Sequence, residues 1–156
     1  MVDTEFEHAD ESPGLLLWQV TNHWQAAQRA ALIPYDLTYV QYILLVSLAW
    51  LTARPGKKPV IQRDVADRAA TDPMMTSQVL RALEKKGLLQ RSNHPTDHRA
   101  KCLTPTPSTA ALANQATTAT TACNHTFFTA LGDRTSSFTT ALHRLRDHNT
   151  AISASG

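Results

Sequence analysis

The stretch from Thr71 to Lys101, TDPMMTSQVLRALEKKGLLQRSNHPTDHRAK, leaves the backbone few options. Asp72 is a good N-cap, and Pro73 suits the first helical position, where its missing N–H would have no partner anyway. Met75, Val79, Leu80 and Leu83 fall on one side of a 3.6-residue period. Met74, Ser77, Gln78, Arg81 and Lys85 fall on the other. Gly87 supplies the stop, because glycine takes the left-handed conformation at little cost. Leu88 to Gln90 then extend, Ser92 to Arg99 makes a turn-rich polar tip, and Ala100 to Leu103 returns as a second strand. The expectation is a short helix with a hydrogen-bonding outer face, followed by a basic β-hairpin.

The segments before it supply a scaffold. Residues 1–13 are polar and acidic and read as a loose arm. From Gly14 to about Leu32, Leu17, Val20, Trp24, Ala27 and Ala31 recur at helical spacing, and Pro34 ends that helix. Thr38 with Gln41 three residues later predicts a capping box. The run behind it, Ile43 to Leu51, is apolar nearly all round, so that helix is expected at the centre of the core. ARPGKKP, residues 53–59, is a basic loop, and Val60 and Ile61 are a short strand or an apolar anchor. Gln62 to Ala69 is a short helix with Val65, Ala66 and Ala69 inward.

After Leu103 the chain turns rich in Thr and Ala. Leu112, Ala116, Ala119, Cys123, Phe127 and Leu131 keep an i, i+3/i+4 rhythm and predict a long helix. Its propensity is mediocre, since threonine is β-branched, so packing must hold it. Gly132 stops it, and Phe138, Leu142 and Leu145 continue the inner face of a last helix, whose final half-dozen residues are expected to fray.

Charge is unevenly placed. Residues 54–101 hold eleven Lys/Arg against five Asp/Glu, whereas the rest of the chain holds four against eight. That segregation marks the middle segment as the surface facing a polyanion. The N-terminus lacks the apolar stretch of a secretory signal, and Tyr39 to Leu51 is too short to span a bilayer, so a cytoplasmic protein without membrane contact is expected. Cys102 and Cys123 form neither a disulfide framework nor a metal-spacing pattern. His94 and His98 lie four apart on a loop containing Pro95, not on one helical face, so no metal site and no cofactor are expected. A glycine-rich phosphate loop, paired carboxylates on one helix and a nucleophile elbow are all lacking in the sequence, which argues against an enzyme.

Two short helices joined by a three- or four-residue turn and followed by a hairpin make a winged helix-turn-helix. The fold class expected is therefore mainly α with a small β-hairpin wing, and with helices at both ends of the chain for dimerisation. The segments LTYVQYILLVSLAW, IQRDVADRAATDPMMTSQVLRALEKKGLLQR and HPTDHRAKCLT resemble the MarR family of bacterial and archaeal transcription regulators. The similarity covers about residues 15 to 146, and its most specific piece is LEKKGLLQR followed by DHRA and LT. Where that family carries a glycine after the second wing strand, this chain has TPTPST.

The resemblance implies a homodimer that binds double-stranded DNA at a pseudo-palindromic operator, acts as a repressor, and is released by a small ligand or an oxidant. It divides the chain into an arm (1–13), an N-terminal dimerisation helix (14–36), a DNA-binding domain (37–104) and C-terminal dimerisation helices (105–150). Ser77, Gln78 and Arg81 would address base edges, with Thr76 and Lys85 beside them on the DNA face. Arg99 would enter the minor groove braced by Asp97, and Arg91 would support the wing and the phosphate contacts. Trp18, Trp24, Tyr42 and Trp50 would line an aromatic effector pocket. Each reading competes with a plainer one: solvated charge for the arginines, core packing for the aromatic residues, and small apolar filling for the two cysteines. A winged helix that docks on protein is the alternative function, to be distinguished by whether the outer face of residues 74–85 is polar or apolar.

Overall fold

The structure, a computed structural model, describes residues 11–56 and 58–154. The arm expected at residues 1–13 lies outside them except for its last three positions. There Ser12 caps helix α1 (Pro13–Leu32) by accepting a hydrogen bond from the Leu15 N–H at 3.5 Å, so helix is under way by residue 13. Helix α2 (Tyr39–Thr52) starts with the expected reciprocal box: Thr38 Oγ1 accepts from the Gln41 N–H at 3.2 Å, and Gln41 Oε1 accepts from the Thr38 N–H at 3.1 Å. Two short helices follow, α3 (Gln62–Ala69) and α4 (Pro73–Lys85). The hairpin pairs β1 (Leu89–Asn93) antiparallel with β2 (Lys101–Pro105), Arg91 facing Leu103 and Asn93 facing Lys101. Two long helices close the chain, α5 (Pro107–Phe128) and α6 (Thr135–Ala154).

Helix α2 is the hub, touching α1, α3, α4, α5 and β2. Leu44, Leu45 and Leu48 are wholly buried and meet Leu32, Val65, Leu80, Leu83, Leu89 and Leu103 in one core. Full burial of a leucine is worth ~1.5–3 kcal/mol, which is why this all-apolar run sits inside. Val60 and Ile61 act as the expected anchor. The Leu103 N–H donates to the Val60 carbonyl at 2.8 Å, and Ile61 bridges Cys102, fastening the loop before α3 to the hairpin.

Helix α5 begins at Pro107, in the first-turn position where proline costs nothing, with Pro105 left outside it at the end of β2. Its buried face is Thr109, Ala113, Ala116 and Thr120, small side chains that let α1 and α2 come close. Exposed threonines return their hydroxyls to the helix itself, Thr118 to the Asn114 carbonyl and Thr126 to that of Ala122. These local bonds satisfy the hydroxyls but do not strengthen the helix, so packing is what holds a helix of weak intrinsic propensity. Gly132, at φ 53° and ψ −124°, breaks the chain between α5 and α6.

The end helices leave much of their apolar surface exposed. Helix α1 buries Gln28 and Leu32, whereas Leu17 and Val20 are exposed. Helix α6 is regular through residues 151–154, the described part of the end that was expected to fray, and it buries none of its side chains. Among the described residues, no single helix is long and apolar enough to cross a membrane; α1 with its turn and α2 reach that composition only together, bent by 71°.

Candidate nucleic-acid interface

Helix α4 is fixed at its start by Asp72, whose Oδ1 accepts from the Met75 N–H at 2.9 Å. At its end Gly87 adopts φ +71°, and the Leu88 N–H reaches back to the Leu83 carbonyl at 3.0 Å. The buried stripe is Thr76, Leu80 and Leu83, with Val79 packed at its edge. Gln78, Arg81 and Lys85 project outward on the other side. Among the described residues none of these three has a hydrogen bond or ion pair, so their donors are free for a ligand.

The hairpin is bolted to α4 by Arg91, whose Nε lies 3.0 Å from Glu84 Oε2. Arg91 is half-buried, and its Nη2 is enclosed without an acceptor among the described residues. At the tip, His94 Nδ1 accepts from the backbone N–H groups of Thr96 (3.2 Å) and Asp97 (3.0 Å). Asp97 Oδ1 then accepts from the Arg99 N–H at 2.9 Å. These bonds set the turn that leaves the Arg99 side chain exposed. The acceptor role of Nδ1 belongs to the unprotonated nitrogen alone. Lys101 Nζ donates to Asn93 Oδ1 across the strands.

Where α1, α2 and α5 meet there is a polar and aromatic junction. Asn124 Oδ1 accepts from Trp24 Nε1 (2.8 Å) and from Gln28 Nε2 (2.6 Å). Gln28 is fully buried, and its Oε1 has no donor among the described residues. Tyr39 packs edge-on to Trp24 at 4.8 Å and beside Tyr42 at 5.8 Å. Burial, with the neighbouring Tyr42, pushes the Tyr39 hydroxyl up to about 12, so it stays protonated. Tyr42 Oη bonds to the hydroxyls of Thr117 and Thr120 on α5.

Comparison with known proteins decides the family. The MarR family model matches residues 37–101. The uncharacterized HTH-type transcriptional regulator YdcH of Bacillus subtilis is 42% identical over 103 residues, which cover 66% of this chain and 69% of YdcH. The chain belongs to the MarR family. CouR from Rhodococcus jostii, solved with p-coumaroyl-CoA, is 26% identical with a TM-score of 0.72, covering 94% of this chain and 95% of CouR. A mutant MarR from E. coli complexed with operator DNA shares the fold at 19% identity and a TM-score of 0.75, covering 85% of this chain and 91% of that one. Mainly helical with a two-stranded wing, this MarR-family protein has the fold of transcriptional regulators rather than of enzymes.

Within that fold the residues singled out from the sequence divide. Ser77, Gln78, Arg81 and Lys85 share the outer side of α4, and Arg91, Asp97 and Arg99 lie on the adjacent wing. Thr76 does not join them. It is wholly buried, and its hydroxyl bonds to the Asp72 carbonyl and to Thr71 Oγ1, both at 2.7 Å. Met75, expected inward, takes the outer position instead and is 41% exposed. The inward stripe is therefore centred one residue later than the apolar pattern suggests, because a threonine whose hydroxyl is satisfied within its own turn enters a core readily.

The four aromatic residues assigned to one effector pocket do not converge either. Trp24 and Tyr42 flank Tyr39 at the junction, and Trp18 is exposed. Trp50 stands apart on the outer side of α2, with the Arg68 guanidinium 3.4 Å and that of Arg54 4.3 Å from its ring centroid. Sequence reading missed this stack, together with Gln28, Asn124 and the capping role of His94. The i, i+4 spacing of Trp50 and Arg54 is the one local clue.

Two outcomes are expected. Thr76→Val strands Thr71 Oγ1 and should lower stability in urea by ~1–3 kcal/mol; an unchanged midpoint with weaker DNA binding would return Thr76 to the interface. His94→Ala should speed hydrogen exchange at the Thr96 and Asp97 amides, whereas His94→Asn, which keeps a side-chain acceptor, should preserve much of the protection.

Proposed function

We propose that the chain is a homodimeric repressor that binds a pseudo-palindromic DNA operator and is released by a small ligand. The observation carrying this reading is the side-by-side placement of a helix face with unpaired Gln78, Arg81 and Lys85 and a wing with exposed Arg99. The fork of an arginine matches the O6 and N7 of guanine, and the amide of a glutamine matches adenine. Helix α4 enters the major groove and Arg99 the neighbouring minor groove, whose narrow A·T-rich form attracts a guanidinium. Met74 and Met75 occupy the start of the helix, where a thymine methyl suits them.

Dimerisation places two such heads one helical turn apart, ~34–36 Å. Residues 14–36 and 105–150 supply the pairing surface. Leu16, Leu17, Trp18 and Val20 on α1, and Leu142, Leu145 and Ile152 on α6, are exposed in the single chain, and a second copy covers them. An apolar cavity of about 250 Å³ lined by Trp24, Phe127, Phe128 and Phe138 opens on the same side. Occupying the operator keeps polymerase off the promoter, which makes repression the expected sign, in the cytoplasm where the DNA is.

The effector site is the junction of α1, α2 and α5. A ligand with an N–H or O–H group meets the unpaired Gln28 Oε1 there, and binding changes the spacing of the two heads. That CouR is known with p-coumaroyl-CoA and MarR with operator DNA supports both halves of the scheme by analogy.

Duplexes selected from a random pool should carry two related half-sites about ten base pairs apart, centre to centre. Against such a duplex Arg81→Ala should cost ~1–3 kcal/mol and relax the preference at one base pair; uniform loss on every sequence would remove Arg81 from base reading. In sedimentation the wild type should run as a dimer and Leu142→Glu/Leu145→Glu as a folded monomer. A monomeric wild type would overturn the dimer.

A further inference from the structure

We propose that the stack of Arg54, Trp50 and Arg68 is a second DNA-binding surface, one that grips the phosphate backbone beyond the bases read by α4; this rests on the DNA-reading function proposed above. Two guanidinium groups of like charge share a single indole, at 3.4 and 4.3 Å from its centroid. Repulsion between them is tolerated because the ring faces attract both. Neither guanidinium has a hydrogen bond or ion pair among the described residues. The acids nearby are engaged: Asp64 Oδ2 accepts from the Ile61 N–H at 2.9 Å, and Asp67 lies 3.8 Å from Arg63.

Stacking occupies the flat face of a guanidinium and leaves its N–H edges free, the arrangement that suits bidentate binding of phosphate. It also holds two long side chains that in open solvent would sample many rotamers, so little ordering remains to be done on binding. Next to the stack, Arg54 also lines a cleft of about 570 Å³, where Lys58 adds a second positive charge and Asp64 a negative one.

Position selects the duplex as occupant. Arg68 lies in the last turn of α3, four residues before the cap of the reading helix. At the other end of α3, Gln62 Nε2 donates to the Pro73 carbonyl in the first turn of α4 at 3.3 Å. Helix α3 is thus clamped to the entry of the reading helix, and in a helix-turn-helix the first helix crosses the phosphate backbone. A surface built on α3 and the end of α2 meets the sugar-phosphate strand flanking the half-site and carries no base information.

The test uses full-length protein and a duplex recovered from a random pool, prepared with and without an extra helical turn on each side. Trp50→Leu, which keeps an apolar filling but removes the platform, and Arg54→Ala/Arg68→Ala should both weaken the long duplex several-fold, for selected and unrelated sequences alike. The salt slope should fall by about 0.9 for each phosphate that the variant no longer neutralises. On the short duplex, wild type and variants should converge, and Trp50→Phe should behave as wild type. Equal weakening on both lengths, or an unchanged salt slope, would overturn the proposal. Protection of the stack by inorganic phosphate alone, with DNA affinity untouched in the variants, would reassign it to a small anion. Thermal melting of each variant separates unfolding from weakened binding. If wild type prefers no duplex over any other, the operator-reading function fails instead, a result distinct from all of these.

Discussion

Everything in this molecule hangs on the burial of α2. Leu44, Leu45 and Leu48 have no exposed surface, and each adjoining element reaches the core by packing on them or on their neighbours. A helix covered on nearly every side has little freedom to tilt, because a close-packed interior resists displacement. Helix α4 and the wing inherit that rigidity: Leu80 and Leu83 insert from one, Leu89 and Leu103 from the other. The outward polar side chains of α4 are therefore held by an apolar lattice, which is what a binding site must have if small errors of position cost affinity.

A second set of contacts joins the long helices to α4 and the wing. Thr106 Oγ1 donates to the Gly87 carbonyl at 2.8 Å, and Thr109 Oγ1 donates to that of Leu88. Lys86, in the same joint, bonds to the Asp36 carbonyl and lies 3.1 Å from its carboxylate. The start of α5 and the turn after α1 thus both grip the corner where α4 becomes β1. Tyr42 ties the middle of α5 to α2 through two threonine hydroxyls, and Asn124 ties its later part to α1. Hydrogen bonds of this kind have defined partners, so they fix the position of α5 against both α1 and α2.

Much of the site is legible in the sequence, and the misreadings have physical causes. Asp72, Pro73 and Gly87 bracket α4 because capping and left-handed turns are local chemistry. The apolar spacing places Leu80 and Leu83 correctly but takes Met75 for an inward residue, and the family resemblance puts Thr76 on the DNA face, since residue type stands in for burial only when polar groups lack a local partner. Ala70 at φ 54° gives no warning, because the left-handed corner between α3 and α4 is imposed by the packing of both helices on α2. Trp50 looks like a pocket residue as long as the place of Arg68, eighteen positions on, is unknown.

Order of elements, helix starts and stops, and the segregation of positive charge into the middle of the chain all follow from interactions between residues a few positions apart, and so they are written in linear form. Which side chains meet across long separations is another matter. The sharing of Asn124 by Trp24 and Gln28, the Arg54–Trp50–Arg68 stack, and the lack of any fully buried side chain on α6 depend on how the helices cross. Crossing is set by shape-matching of buried surfaces rather than by any local signal.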